Sequence, residues 1–284
     1  MKYRVLYNPH AGNLSTEELK AHIAEVLKDD TYEIEDITTV VYADLFKTLK
    51  NDENILLVGG DGTINRFVND TQGLKCKNNV YYYAAGSGND FWTDIGGKKG
   101  DAPVCIDKYL VNLPTVTVNG KDYKFINGVG YGIDGYCCEV GDKLKSEGKK
   151  VNYTGIAIKG LLFDFKPKTA TVTVDGETHV FNKTWIAPTM LGKHYGGGMM
   201  PTPTQDRLGD GSLSICLMYN AGKLKTLMAF PKIFKGEHVK KTNQVALLSG
   251  REITVKFDEP CALQIDGETI LNVTEYTAHA ARKN

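Results

Sequence analysis

The stretch "NILLVGGDGTINRF", Asn54 to Phe67, constrains the fold more than any other part of the chain. Its apolar run has no polar alternation, as expected of a strand buried on both faces. Strands of that kind belong to parallel sheets with helices on each side. The run ends on Gly59-Gly60, and a helix is predicted from about Gly62 or Thr63, with Ile64, Phe67 and Val68 inward. The same alternation frames this unit. "YRVLYNP" reads as a strand. "STEELKAHIAEVLKD" reads as an amphipathic helix, with Leu19, Ile23, Val26 and Leu27 on one face and Ser15 or Thr16 as its cap. "YEIEDITTVVY" is a second strand and "YADLFKTLKN" a second helix. "VYYYAA" is a further strand and "NDFWTDIG" a short helix. That order predicts a parallel sheet.

The pattern changes after "GGKKGDAP". The runs "TVTVNGKDYKF", "ATVTVDGETHVF", "GSLSICLMY", "REITVKF" and "CALQIDGETIL" alternate and are separated by Asn-Gly, Asp-Gly and Gly-Ser turns, which predicts antiparallel β structure. Helical insertions are expected around "VNYTGIAIKGLLFDF" and "GKLKTLMAFPKIFKG", the second broken near its middle by Pro231. The expected organisation is an α/β domain with a parallel sheet over residues 1–114. A β-rich antiparallel, sandwich-like domain follows over residues 115–284, with the last residues free to return to the first domain.

Composition narrows the function by exclusion. Basic and acidic side chains number 34 each, so no electrostatic footprint for nucleic acid is expected. The cysteines, Cys76, Cys105, Cys137, Cys138, Cys216 and Cys261, lack zinc spacing and suit reduced thiols in a cytoplasmic protein. No apolar run is long enough to span a bilayer, and no targeting segment is expected before the first strand. Contact with lipid is therefore expected to be peripheral.

Glycines at Gly59, Gly60 and Gly62 would let backbone N–H groups approach a phosphate, and a helix start adds a favourable dipole. Asp61 would hold a metal ion or order the loop. A second loop, Gly86, Ser87, Gly88, Asn89 and Asp90, again joins a strand to a helix; Asp90 alone reads as a helix cap. "YNPHAG" is a third strand end, with His10 exposed. Parallel sheets bind ligands at the carboxyl ends of their strands, so these loops can converge on one nucleotide.

The string DGET occurs twice, at Asp175 and at Asp266. Both copies read as hairpin turns, and local pattern does not separate them.

Taken in order, Asn8-Pro9-x-Ala11-Gly12, "GGDGT" and "GSGNDF" resemble the catalytic domain of the diacylglycerol kinase and sphingosine kinase superfamily. "FINGVGYGID", "GGGMMPTP", "LGDGSL" and "IDGE" resemble the second domain of the bacterial soluble lipid kinases. The resemblance runs over nearly the whole chain, and the fold it implies is NAD kinase-like and diacylglycerol kinase-like. It implies transfer of the ATP γ-phosphoryl group to a lipid hydroxyl, diacylglycerol-like, with magnesium. Asn8, Gly12, Gly59, Gly60, Asp61, Gly62, Thr63, Ile64, Asn65, Gly86, Ser87, Gly88 and Asn89 would line the ATP site. A threonine on the second strand, Thr39 rather than Thr38, would join them. The family position of "DGE" favours Asp266 as general base, with Glu268 a close rival, and leaves Asp175 a structural turn. On one strand Asp266 and Glu268 would face the same side, unless a tight turn at Gly267 breaks the alternation. Asp90 would hold a metal-bound water. Asp210, with carbonyls of Arg207 and Ser212, would make a structural magnesium site, against the alternative of a turn without an ion. The chain departs from the family at Ser87, where threonine is usual, and at Asn13, where a basic residue often stands.

Two other readings share these motifs: an NAD kinase-like small-molecule kinase, and a lipid- or nucleotide-binding relative without turnover. The partners expected are a lipid substrate and a peripheral membrane surface; a homodimer stays open. The segment "AGKLKTLMAFPKIFKGEHVKK" would meet that surface. It offers Leu224, Leu227, Met228, Phe230, Ile233 and Phe234 as apolar area, with Lys223, Lys225, Lys232, Lys235, Lys240 and Lys241 as charge. A helix packed on the β domain is the alternative.

Overall fold

The computed structural model describes residues 1–12 and 15–281; Asn13 lies outside them. The chain divides into two units, Met1–Val111 and Asn112–Asn284.

The first unit runs β1 (Lys2–Tyr7), α1 (Thr16–Val26), β2 (Thr31–Asp36), α2 (Tyr42–Thr48), β3 (Asn54–Gly59), α3 (Asp61–Asp70), β4 (Val80–Ala84), α4 (Asp90–Asp94), β5 (Val104–Cys105) and α5 (Asp107–Leu110). Its sheet has the order β2-β1-β3-β4-β5. The first four strands are parallel, and β5 is antiparallel at the edge. Val5, Leu6 and Ile55 to Val58 are buried, which is why β3 reads as one apolar run. Leu19 and Ile23 of α1, and Leu27 just past its end, pack on that sheet. A capping box between Ser15 and Glu18 starts the helix. From β1 the chain crosses to β2 on one side, then to β3 on the other side of β1. The gap between the carboxyl ends of β1 and β3 is thus the topological switch point, where open α/β sheets bind ligands.

The second strand is shorter than its sequence suggested. The Asp36 carboxylate accepts the Thr38 N–H at 2.8 Å and the Thr38 hydroxyl at 2.7 Å. This local bonding competes with the ladder and turns Ile37–Thr39 into a 3₁₀ turn. Thr39 therefore stands after the strand, not on it.

The second unit runs β6 (Thr115–Val118), β7 (Lys121–Lys124), β8 (Gly128–Tyr131), α6 (Ile133–Ser146), α7 (Tyr153–Lys159) and a π-helical turn (Gly160–Asp164). It continues with β9 (Lys168–Val174), β10 (Glu177–Thr184), β11 (Thr189–Met190), β12 (Leu213–Met218), α8 (Lys223–Ile233), β13 (Val245–Gly250), β14 (Glu252–Ile265) and β15 (Glu268–His279). All its pairings are antiparallel. The runs expected as two strands, "REITVKF" and "CALQI", are one 14-residue strand. Ile253 to Phe257 of β14 pair with β9, and Leu263 to Ile265 pair with β8. Its ladder with β15 is irregular between Lys256 and Leu263, around Pro260, which has no N–H to donate. Tyr131 of β8 stacks on Phe257 of β14 with ring centroids 4.1 Å apart, and Tyr276 of β15 meets Tyr131 edge-on at 5.7 Å.

Two helical features differ from expectation. The pattern gave no sign of α6, because the helix starts after a Gly132 at φ 96° and carries Gly135 and Gly141. A side chain at Gly135 would run into the Ala262 carbonyl of β14. Close packing demands the residue that reads as a loop. Pro231 does not break α8 near its middle, since the helix continues to Ile233. Pro231 has no N–H to give the Leu227 carbonyl, and the helix ends two residues after it. Among the described residues no helix is long and apolar enough to cross a membrane.

Candidate active site

In the first unit three strand-end loops meet at the switch point. The Asn8 amide donates to the Thr63 hydroxyl at 2.9 Å, joining the first loop to α3. Gly12, at φ 70°, passes so close to Ala85 that a Cβ would strike its carbonyl. A Cβ on Gly86 would collide with the Gly60 Cα, and one on Gly60 would lie 3.1 Å from the Gly86 Cα. Gly59 accepts from the N–H groups of Ala85 and Gly86 and from the Tyr82 hydroxyl. These glycines let the loops lie against one another.

Asp61 orders the second loop, one of the two roles expected for it. Its carboxylate accepts the Asp90 N–H and the Phe91 N–H, each at 2.8 Å. It orders the second loop by capping α4 from outside. Asp90 is not the cap: it is the first residue of α4, follows Asn89, and is buried. Asn89 adopts a left-handed φ of 51° and gives its amide N–H to the Gly86 carbonyl at 2.7 Å. Its Oδ1 is buried and has no hydrogen-bond partner, although buried polar atoms rarely lack one. Ser87 and Gly88 are exposed at the tip of this loop and Gly62 at the start of α3.

Other residues expected to line the nucleotide are engaged within the fold. The Ile64 side chain is fully buried in the core, and its N–H turns back to the Gly60 carbonyl. The Thr63 N–H does the same. Asn65 is buried and accepts from the Asn69 amide. The Thr39 hydroxyl donates to the Asp36 carbonyl at 2.9 Å. That leaves Asp61 and Gly62 to offer first-turn N–H groups at the start of α3.

The donor set suits a nucleotide with a hard cation. Glycine amides and a helix start attract phosphate, yet Asp61 and Asp90 are carboxylates beside them. A phosphate there calls for a cation between like charges, and magnesium is held through few carboxylates, phosphate oxygens and water. The residues fit that group.

In the second unit the two DGET copies prove to be the same device. Each is a two-residue turn with both φ values positive, 48° and 90° at Asp175-Gly176, 47° and 98° at Asp266-Gly267. Asp175 accepts from the N–H groups of Arg251 and Glu252. Asp266 accepts from Ile126 at 2.6 Å and from Asn127 and Gly128 at 2.9 Å. Arg207 holds the same segment from its carbonyl side, donating to the Ile126 carbonyl at 2.8 Å and to Asn127 Oδ1 at 3.0 Å. The turn breaks the expected alternation: Asp266 sits in it, and Glu268 pairs with Ile265 as the first residue of β15. Glu268 is exposed.

Asp210 Oδ1 accepts both the Ser212 N–H at 2.8 Å and its hydroxyl at 2.7 Å. The local bonding is that of a turn. Among the described residues no group of three His, Cys, Asp or Glu side chains gathers to hold a metal ion.

A buried pair escaped the sequence reading. Asp134, the last residue of "FINGVGYGID", accepts the Tyr195 hydroxyl at 2.7 Å. Burial raises its carboxyl to about 7, against the lowering effect of that hydrogen bond. The motif contained Asp134, but Tyr195 lies 61 positions on, and nothing in spacing links them.

The fold sets three glycine-bearing strand-end loops at the switch point of an α/β unit, and an antiparallel β unit follows in the chain. Residues 2–116 match the diacylglycerol kinase catalytic domain, and residues 127–278 match the YegS C-terminal NAD kinase beta sandwich-like domain. The second match alone covers more than half of the chain, which belongs to this diacylglycerol and lipid kinase family. The diacylglycerol kinase of Bacillus subtilis is 25% identical over 280 residues, covering 93% of this chain and 89% of its own. That of Mycobacterium tuberculosis is 23% identical over 224 residues, covering 76% and 69%. The crystal structure of a diacylglycerol kinase from Bacillus anthracis str. Sterne shares the fold, with a TM-score of 0.61, 17% identity and coverage of 99% and 94%.

Proposed function

We propose that this chain transfers the γ-phosphoryl group of ATP to the hydroxyl of a diacylglycerol-like lipid, with magnesium. The observation that carries the reading is the meeting of the Asn8, Gly59–Thr63 and Gly86–Asn89 loops at the switch point of a parallel sheet. Phosphoryl transfer asks a protein mainly for positioning and charge neutralisation. The amides of Asp61 and Gly62 and the second glycine loop hold the phosphates. Asp61 keeps that loop in place through its bonds to α4. Magnesium, when bound, neutralises charge on the phosphates and on the transferring group.

Within the second unit the reading gives the acceptor's proton to Glu268 rather than Asp266. Three backbone N–H groups already occupy the Asp266 carboxylate, whose oxygens offer about four lone-pair sites. Asp266 is then a positioning residue for 126–128 and for the turn that presents Glu268. Glu268 takes the hydroxyl proton as the lipid oxygen bonds to the γ-phosphorus. The bond from that phosphorus to the β–γ bridging oxygen breaks, and ADP leaves.

The test is an incubation with magnesium, ATP and mixed micelles holding diacylglycerol, monoacylglycerol, phosphatidylglycerol and a sphingoid base. Mass spectrometry of the organic extract reads the outcome. Phosphorylated diacylglycerol is expected; no phosphorylated lipid of any class would refute the reading.

A further inference from the structure

Helix α8 and the π-helical turn Gly160–Asp164 take no part in the chemistry above, yet they carry large apolar side chains in the open. Thr226, Ala229 and Ile233 form the buried stripe of α8, and Leu227 and Phe230 pack partly against the same core. The remaining apolar residues lie on the other face. Leu224 is 68% exposed and Met228 56%, and they stand one helical turn apart. Phe163 in the π-helical turn is 72% exposed. The Lys223 ammonium donates to the Leu162 carbonyl at 2.7 Å, so Phe163 and Leu224 flank one bond and share one patch. Phe234, just past the helix, is 40% exposed.

Exposed Lys225, Lys232 and Lys235 stand among these side chains. No Asp or Glu occurs between Asp210 and Glu237, although basic and acidic residues balance over the whole chain. Scattered apolar residues on a surface need no explanation, but a contiguous group marks an interaction site. Asp164, next to Phe163, is held by Lys159 and Tyr136; among the described residues Lys225, Lys232 and Lys235 have no acidic partner, which fixes the sign of what the face meets, and long apolar side chains between lysines suit the headgroup region of a bilayer.

We propose that the face formed by Phe163, Leu224, Met228, Lys225, Lys232 and Lys235 docks the protein on an anionic lipid bilayer. The proposal rests on the lipid-kinase reading for its purpose, since such an acceptor is met at a membrane. The apolar side chains enter the headgroup region and the lysines pair with anionic lipid, each strengthening binding about fivefold. The face is narrower than the sequence suggested, because Leu227, Phe230 and Ile233 belong to the core, and it gains Phe163 from a separate segment.

The experiment is vesicle co-sedimentation without ATP, using phosphatidylcholine alone and an equimolar mixture with phosphatidylglycerol. The intact protein should pellet with the mixed vesicles and less with the neutral ones, and salt should weaken that difference. Lys225→Glu with Lys232→Glu should lower binding to mixed vesicles at least about tenfold. Leu224→Ser with Met228→Ser should weaken binding by a similar factor. All four positions are exposed, and circular dichroism of each variant should match the parent. Unchanged binding by both folded variants, or no binding of the parent to either vesicle, overturns the docking face. Phosphorylation of dihexanoylglycerol, dispersed as monomers, tests the catalytic reading apart from docking. A parent that pellets through these residues but phosphorylates nothing upholds the docking face and removes only the kinase reading.

Discussion

Asp266 and Asp175 hold the same turn position in two hairpins, and each ties a neighbouring segment through its carboxylate. Their energetic weight differs. Asp266 is half-buried and gathers three N–H groups, while Asp175 is exposed and serves two residues. Charge-assisted bonds to partly buried donors are the costly ones to lose. Asp266→Asn should destabilise the fold by about 1–3 kcal/mol in urea unfolding, and Asp175→Asn by less; the reverse order would mean that Asp266 is no clamp. The sequence showed that both aspartates sit in turns, since Asp-Gly between alternating strands has few other uses. It did not show what the carboxylates hold, because their partners lie 76 and 140 positions away. Asp134 makes a second residue-scale prediction. Its carboxyl lies near 3.8 when unfolded and is raised to about 7 by burial in the native state. The native state then holds a proton that the unfolded chain releases, so this contribution is fully present below about pH 4 and is lost as pH rises toward 7. Asp134→Asn removes the group. The stability of the variant relative to the parent should rise by about 1.4 kcal/mol per pH unit across that window, and a constant difference would contradict the assignment.

At the scale of elements, glycine explains both the legible and the hidden parts. In the first unit glycines follow apolar strands, and the strand–loop–helix pattern is visible without tertiary knowledge. Gly86→Ala tests the close approach of two such loops, because the added methyl would push Gly60 away. ATP affinity measured by calorimetry should fall at least about tenfold, consistent with loss of 1.4 kcal/mol or more; unchanged affinity in a folded variant would detach these loops from nucleotide binding. In the second unit glycines sit inside α6, where Gly135 lets the helix touch β14. That use mimics a loop in sequence, so the helix was invisible. Gly135→Ala should cost roughly 1–3 kcal/mol by overpacking, read from the urea midpoint. Thr39 was misplaced for a related reason: β-branched residues suit strands, but the Asp36 side chain offered the backbone a local alternative.

Over the whole molecule, the order of motifs carried more information than any one of them. Asn8, Gly59–Thr63, Gly86–Asn89, Asp210 and Asp266–Glu268 stand in the order of the motifs that resemble the lipid kinase family, and the two domain matches, 2–116 and 127–278, span them. What the order could not give was the division of labour among neighbours: Ile64 and Asn65 in the core, Asp61 as a brace, Leu224 outside and Leu227 inside. Those distinctions come from packing. The central claim is phosphoryl transfer with Glu268 accepting the proton. It is tested most directly by initial rates of labelled phosphate moving from ATP into a short-chain diacylglycerol, with ATP binding measured alongside. The parent should move label into the organic phase. Glu268→Gln should bind ATP as well as the parent and lose about 10²- to 10⁴-fold in rate. A parent that moves no label, or a Glu268→Gln variant as fast as the parent, would contradict the account.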